Sequence, residues 1–187
     1  MNTKHSLLGQ LLIASPQMDD PRFVNAVILI CQHDETSAMG LIINHKADGM
    51  DLDELSKQLG TGTPRFGGDT PVHYGGPVEP SRGMVLHSSD HVLPETVMVS
   101  NEVAMTANIR IISEITNGYG PSEFIIALGH ASWAAGQLEN ELKSNAWIIM
   151  PYAHDLVFSC LNRDQWQDCY SRLGIATEHM SSSVGHA

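Results

Sequence analysis

The chain has 187 residues and a formal net charge of −11, from 10 Lys and Arg against 21 Asp and Glu. This length suits one domain, which at this size needs no disulfide or metal to be stable. Because binding to nucleic acids and to anionic membranes requires positive charge, the acidity argues against both. The longest apolar run, Ala26–Cys31, is far too short to cross a bilayer.

The first third of the chain predicts buried strands and one helix. Strands rich in Val, Ile and Leu are predicted at 11–14, 24–32 and 39–44. A helix is predicted over 51–59, because leucines recur at helical spacing, Asp51 suits the N-cap and Gly60 suits the end. The Gly-, Thr- and Pro-rich stretch 61–71 predicts a surface loop.

The rest of the chain alternates short strands with helices. Strands are predicted at 72–74, 83–87, 96–99, 124–128 and 146–150, and helices at 101–115, 133–143 and 164–173. Ser132 is expected to cap the second of these helices, and Gly174 to end the last one. The small, polar tail 175–187 is expected to be loosely held.

These elements follow no regular β-α-β order, and no linker or internal repeat divides the chain. We therefore expect an α+β fold in a single domain, 1–187.

The cysteines and the N-terminal segment bear on the location of the protein. Cys31, Cys160 and Cys169 are an odd set without a C-x-x-C motif, which predicts reduced thiols and favours the cytoplasm. The segment from Leu7 to Ala14 lacks a small-residue cleavage motif, so it predicts a strand rather than a signal peptide.

Two histidine motifs could carry chemistry. His87 and His91 flank Ser-Ser-Asp, which is similar to the H-x-x-E-H motif of zinc proteases. That motif needs a helix and a third ligand, and neither is evident, so we predict a polar loop and no metal. Cys31 and His33 share one face of a strand and could pair as nucleophile and base. A packed cysteine is the preferred interpretation, because free cysteines are usually buried.

A third motif, Gly129–Trp133, follows a strand and precedes a predicted helix, as a hydrolase nucleophile does. The G-x-S-x-G spacing is not met, so Ser132 is interpreted as a helix cap. No G-x-G-x-x-G or phosphate-loop motif is present, and no cofactor is predicted.

Several short segments along the chain form a distinctive combination. They are Gly9–Pro16 with Met18, Asp20 and Phe23; Val27–Cys31 with His33; Met39–Asn44; Gly75–Val78; Arg82-Gly83 with Leu86-His87; Leu128–Trp133; Gly136–Glu139 with Glu141; and Asn145 with Trp147. With these segments, the chain resembles the YqgE/AlgH family from about residue 9 to 174.

The resemblance implies a mixed α+β fold in which a curved or barrel-like sheet is flanked by helices. One branch of that family has been called a transcriptional regulator of alginate production, a label that describes an effect on a pathway and implies no contact with DNA. The resemblance implies no catalytic residues. This chain departs from the family pattern at His45, His130 and Ser132.

Several polar, aromatic and turn residues lie at predicted element ends, where they could line a groove. They are Asn44, Gly75, Gly76, Pro77, Arg82, Trp133 and Gln137. The alternative is that the glycines serve turns, Trp133 serves the core and Arg82 pairs with an acid.

The leading hypothesis is a non-enzymatic binding or regulatory protein that acts through protein partners. The first alternative is a small-molecule-binding protein, or an enzyme of unrecognised class, that uses the predicted groove. The second is a direct transcriptional regulator, which the net charge disfavours. Nucleic acids and membranes are not expected partners.

Overall fold

A computed structural model describes residues 6–159 and 164–175. The strands are β1 (Leu11–Ala14), β2 (Val27–His33), β3 (Ser37–Ile42), β4 (Lys46–Asp51), β5 (Pro71–Tyr74), β6 (Val78–Ser88), β7 (Val97–Met98), β8 (Val103–Thr106), β9 (Phe124–Ala134) and β10 (Trp147–Met150). The helices are α1 (Leu52–Leu59), α2 (Ile109–Thr116), α3 (Gln137–Lys143), α4 (His154–Phe158) and α5 (Gln165–Arg172).

The strands form one curled, mostly antiparallel sheet in the order β10-β1-β2-β3-β9-β6-β8-β7. Strand β5 joins this sheet alongside β9 in parallel, and β4 pairs with β5. Helices flank the sheet, so the expected α+β class with a curved mixed sheet is confirmed. Within residues 6–159 and 164–175, no helix combines the length and the apolar character needed to span a bilayer.

Strand β9 is the junction of the molecule. Its second half pairs with β3, while its first half pairs with both β5 and β6. Ala127, Ala131 and Trp133 face a large core built mainly from β1, β2, β3 and α5. Ile126 faces a second, smaller core beneath α1 and α2. One strand therefore contributes side chains to both cores.

Helix α5 packs on the sheet through two aromatic side chains. Trp166 Nε1 donates to the Ala14 carbonyl at 2.8 Å, and Tyr170 donates its hydroxyl to the same oxygen at 3.1 Å. Burial of apolar side chains of this size contributes about 1.5–3 kcal/mol each. Because both aromatic side chains are buried and both of their polar atoms are hydrogen-bonded, they fix α5 against β1.

Several local predictions agree with the structure. Asp51 caps α1 by accepting a hydrogen bond from Glu54 N at 2.8 Å, and Gly60 ends that helix in the left-handed conformation. Asp164 caps α5 in the same way, with Gln167 N as donor. Residues 61–70 contain no regular element, as predicted. Cys160 lies outside the described residues, and so does the tail after Ile175.

Two predicted helices are partly wrong. Residues 103–106 form β8, because they find a partner in β6, and α2 begins only after Asn108, which caps it by accepting from Arg110 N. Ser132 does not cap a helix: it lies in β9 opposite Met39, and α3 begins after Gly136. In both places a strand from a distant part of the sequence supplies hydrogen bonds that outweigh the local helical pattern.

Candidate functional site

The β5–β6 turn passes unusually close to β9. A Cβ on Gly75 would lie 2.2 Å from the Gly129 carbonyl oxygen, and one on Gly76 would lie 2.2 Å from the His130 carbonyl carbon. Gly75 also bridges two strands, since its N–H donates to Leu128 O and its carbonyl accepts from Ile42 N. Both predicted glycines therefore serve backbone packing and present no side chain to a ligand.

Asn44 also has a structural position. Its side-chain oxygen accepts from Val27 N at 2.8 Å, and its side-chain nitrogen donates to Asn25 O at 2.8 Å. These bonds hold the turn before β2, in which Asn25 has a φ of 56°. Asn44 thereby fixes the backbone of residues 25–27, which follows Arg22 in the chain.

We expect Asn44→Ala to destabilise the protein by about 1–3 kcal/mol, because two backbone groups lose their partner. Urea denaturation of the variant measures this loss. Asn140→Ala is the control, since Asn140 is exposed on α3, and it should change stability by less than about 0.5 kcal/mol. Equal effects of the two substitutions would contradict the assigned role.

Three of the predicted residues meet in one cleft. We call it the tryptophan cleft: about 400 Å³, lined by Phe23, Trp133, Trp147, Asp19, Asp20 and Glu141. Pro77 and Gln137 also lie on its wall. The rings pack edge to face, with centroids 5.6 Å apart for Phe23–Trp147 and 6.1 Å for Trp133–Trp147. The structure thus places Pro77, Trp133 and Gln137, three residues of the predicted groove, on one cleft.

Glu141 organises this cleft. One of its carboxylate oxygens, Oε2, accepts from Trp133 Nε1 at 2.9 Å and from Trp147 Nε1 at 2.7 Å. The other, Oε1, accepts from Gln137 Nε2 at 2.8 Å. Trp133 is only 3% exposed, so most of its ring belongs to the core and a small part reaches the cleft. The network fixes both indoles with their polar atoms satisfied.

Arg82 lies in a neighbouring cavity. We call it the methionine cavity: about 580 Å³, lined by Met39, Met84, Met105, Arg82, His130 and Glu95. Arg82 Nη1 donates to Glu79 Oε2 at 2.9 Å, in an exposed pair that contributes little to stability. Arg82 therefore pairs with an acid, as the alternative interpretation of the sequence predicts.

His130 faces the methionine cavity with one unused nitrogen. Its Nδ1 is buried without a hydrogen bond and lies 3.9 Å from Glu79 Oε2. Burial lowers the pKa of His130, and the negative charge of Glu79 opposes this shift. The imidazole is therefore neutral at pH 7 and adds no positive charge to the cavity.

The two cavities share Ser132 and are adjacent at Val78 and Glu79. Together we call them the acidic groove. Five carboxylates line it, from Asp19, Asp20, Glu79, Glu95 and Glu141, against the two guanidinium groups of Arg22 and Arg82. The groove therefore combines aromatic and thioether walls with a net negative rim.

The methionines and Glu95 were not predicted from the sequence. Met39, Met84 and Met105 lie in three different strands and look like ordinary core residues along the chain. Only the register of β3, β6 and β8 on the curled sheet brings them to one cavity. No local sequence signal identifies them.

The Cys31–His33 motif does not form a nucleophile and base. Burial raises the pKa of Cys31 to about 12, so its sulfur is a protonated thiol at neutral pH. His33 Nδ1 accepts from Leu7 N at 3.1 Å, which leaves its Nε2 to donate to Glu139 Oε1 at 3.2 Å. The packed-cysteine interpretation is confirmed.

The two histidines of the other motif have separate partners. His87 is buried in β6, donates to Ser88 O through Nδ1 and accepts from the Thr106 hydroxyl through Nε2, both at 2.9 Å. His91 contacts Glu114 on α2. Within residues 6–159 and 164–175, no three His, Cys, Asp or Glu side chains are grouped to hold a metal ion.

The fold and the site define a small α+β protein with a curled sheet and an acidic groove. The AlgH-like family model matches residues 11–178, so the chain belongs to the YqgE/AlgH family, as the sequence motifs predicted. A UPF0301 protein of Rhodospirillum rubrum is 41% identical over 181 residues, covering 97% of this chain and 94% of the relative. Another, from Bartonella tribocorum, is 41% identical over 186 residues, covering 96% and 95%.

Two solved structures have a similar fold. The solution structure of the AlgH protein from Pseudomonas aeruginosa matches with a TM-score of 0.80 and 34% identity, covering 100% of this chain and 99% of that one. A crystal structure of a Corynebacterium diphtheriae protein matches with a TM-score of 0.70 and 21% identity, covering 88% and 85%. The second match supports the fold alone.

Proposed function

We propose that this protein is a non-enzymatic binding protein that acts on a protein partner, which docks a basic, apolar segment into the acidic groove. The observation that carries the proposal is the combination of thioether and aromatic walls with a net negative rim. Methionine side chains are polarizable and flexible, so they adapt to apolar side chains of different shapes. Tryptophan is enriched among residues that dominate binding energy.

The charge of the groove supports one kind of partner. Five carboxylates against two guanidinium groups repel an acidic segment and attract Lys and Arg, and the net charge of −11 strengthens this attraction at long range. The same charge disfavours direct contact with DNA, so a regulatory role would be exerted through another protein.

The test is a titration with two peptides of about 15 residues that share the same leucines and differ only in carrying Lys or Glu. Trp133 and Trp147 line the cleft, so tryptophan fluorescence reports binding. We expect the basic peptide to bind and its affinity to fall with added salt. Equal affinity for both peptides, or no binding of the basic peptide at about 1 mM, would contradict the proposal.

Matched charge reversals locate the binding surface. Asp19→Lys in the tryptophan cleft and Glu95→Lys in the methionine cavity should each weaken the basic peptide about fivefold or more, or about 1 kcal/mol. Asp69→Lys makes the same charge change at an exposed position in the 61–70 loop, outside the groove, and should have a small effect. If all three substitutions weaken binding equally, the peptide is attracted to the acidic protein as a whole and does not bind in the groove.

We also propose a cytoplasmic location. The observation that supports it is that Cys31 is a buried free thiol. Unpaired thiols persist where the environment is reducing. Fractionation of cells that produce the protein, with a periplasmic marker as reference, tests this.

A further inference from the structure

Positive charge is scarce on this protein, and most of it is neutralised. Ion pairs join five basic side chains to carboxylates: Arg22–Asp20, Lys57–Asp53, Arg82–Glu79, Arg110–Glu114 and Arg172–Asp155. Among the residues that the structure describes, Lys46, Arg65 and Lys143 form no such pair. Lys46 also lies beside a pocket that Arg22 reaches.

We call this the basic pocket: about 630 Å³, lined by Pro21, Arg22, His45, Lys46, Asp48 and Tyr74. Three features of the fold assemble it. Pairing of β4 with β5 sets Lys46 opposite His73, and Tyr74 N donates to His45 O at 2.8 Å. The hydrogen bonds of Asn44 then hold the 25–27 backbone, which follows Arg22.

The donors in the basic pocket are partly unused. Arg22 donates to Asp20 through Nε and Nη2, which leaves its Nη1 without a partner in that pair. Burial raises the pKa of Tyr74, the positive charge of Arg22 lowers it and the negative charge of Asp20 raises it, so the phenol lies within electrostatic range of this ion pair. Among the described residues on the lining, Arg22 and Lys46 are the cations and Asp48 is the carboxylate. Arg22 is paired with Asp20, so Lys46 is the cation of the pocket that has no ion pair.

The walls add a second kind of recognition. The Tyr74 ring, Pro21 and Ala47 give the basic pocket flat or apolar surfaces next to its cations. Pockets of roughly 300–1,000 Å³ hold ligands of drug or nucleotide size. Arg and Lys are the side chains that bind phosphate groups, Arg through its planar fork and Lys as a point charge.

We propose that the basic pocket binds a small phosphorylated molecule with a flat ring, of the size of a nucleoside monophosphate. Arg22 Nη1 and Lys46 Nζ contact the phosphate, and the ring lies against Tyr74 and Pro21. The basic pocket and the acidic groove are different sites. They share one lining residue, Arg22, which also lies on the tryptophan cleft.

The test is equilibrium dialysis of the full chain with AMP, with adenosine and inorganic phosphate as the two partial probes. We expect AMP to bind more tightly than either, and Lys46→Gln to weaken AMP at least fivefold. Lys143→Gln is the matched control, because Lys143 is an exposed lysine in the last turn of α3 outside the pocket, and it should leave AMP affinity unchanged. Thermal unfolding of both variants verifies that they are folded.

Two results would overturn the inference. The first is the absence of AMP binding up to about 10 mM, which corresponds to less than about 3 kcal/mol of affinity. The second is an equal loss in Lys46→Gln and Lys143→Gln, which would mean general attraction to surface cations. The peptide titration reports on the groove through tryptophan fluorescence, so failure of one site is distinguishable from failure of the other.

Discussion

Gly129→Ala will destabilise the protein by about 3 kcal/mol, through a strained backbone and a steric clash. Gly129 has a φ of +74°, which costs an alanine roughly 1–2 kcal/mol. Its Cβ would also lie 2.3 Å from the Gly76 carbonyl oxygen and 3.0 Å from that of Val78. Both are backbone atoms and cannot rotate away, and overpacking of this kind adds roughly 1–3 kcal/mol.

Gly136→Ala separates these two causes. Gly136 has the same φ of +74°, but an added Cβ would meet nothing within 4 Å. It should therefore show only the backbone cost of about 1–2 kcal/mol. Thermal denaturation measures both variants, and at this chain length each kcal/mol lowers the midpoint by about 2–4 °C. Equal losses would mean that the β5–β6 turn adapts and that close packing against β9 is not required.

Acid will destabilise the folded protein between about pH 6.5 and pH 4, and His73 will be a main contributor. His73 lies in β5, is 7% exposed, and its Nδ1 has no hydrogen-bond partner. Burial lowers the pKa of His73 from 6.5 to about 4, with smaller contributions in the same direction from Lys46 and His45. The folded state therefore resists protonation that the unfolded chain accepts.

The sign follows from proton linkage. Between pH 6.5 and 4 the unfolded chain binds more protons at this position, so stability falls as the pH falls through this window. A pKa that is 6.5 in the unfolded chain and about 4 in the folded protein corresponds to about 3 kcal/mol. Burial also lowers the pKa values of His45, His87 and His130, and these add to the loss in the same direction.

His73→Gln tests this linkage. The substitution removes the titrating group, so the free energy of unfolding, measured by urea denaturation from pH 4 to 8, should depend less steeply on pH. The difference from the wild type at pH 8, where the imidazole is neutral in both states, gives the packing cost separately. An unchanged pH dependence in the variant would show that His73 does not titrate on unfolding.

The sequence predicted the parts of the fold that depend on neighbouring residues. Asp51 and Gly60 bound α1 as expected, because capping is set by residues within one turn. The prediction from sequence is wrong where pairing with a distant strand competes with a local preference for helix. Residues 103–106 and 133–134 carry helical patterns, yet they pair with β6 and β3, whose positions no local pattern specifies.

The candidate site divides in the same way. Pro77, Trp133 and Gln137 lie on one cleft, because a strand end, a turn and a following helix lie close in the chain or on paired strands. Asn44, Gly75 and Gly76 proved to hold the backbone. The three methionines of the methionine cavity come from separate strands, and only the register of those strands on the curled sheet brings them together.

The position of β9 has a consequence for how the protein opens. Strand β9 contributes side chains to both cores and pairs with three other strands. We therefore expect the two cores to unfold together. In native-state hydrogen exchange, the amides of Phe124–Ala134 should be released only with the whole molecule, at its full unfolding free energy. The short edge strand β7, which pairs with β8 alone, should exchange by local fraying.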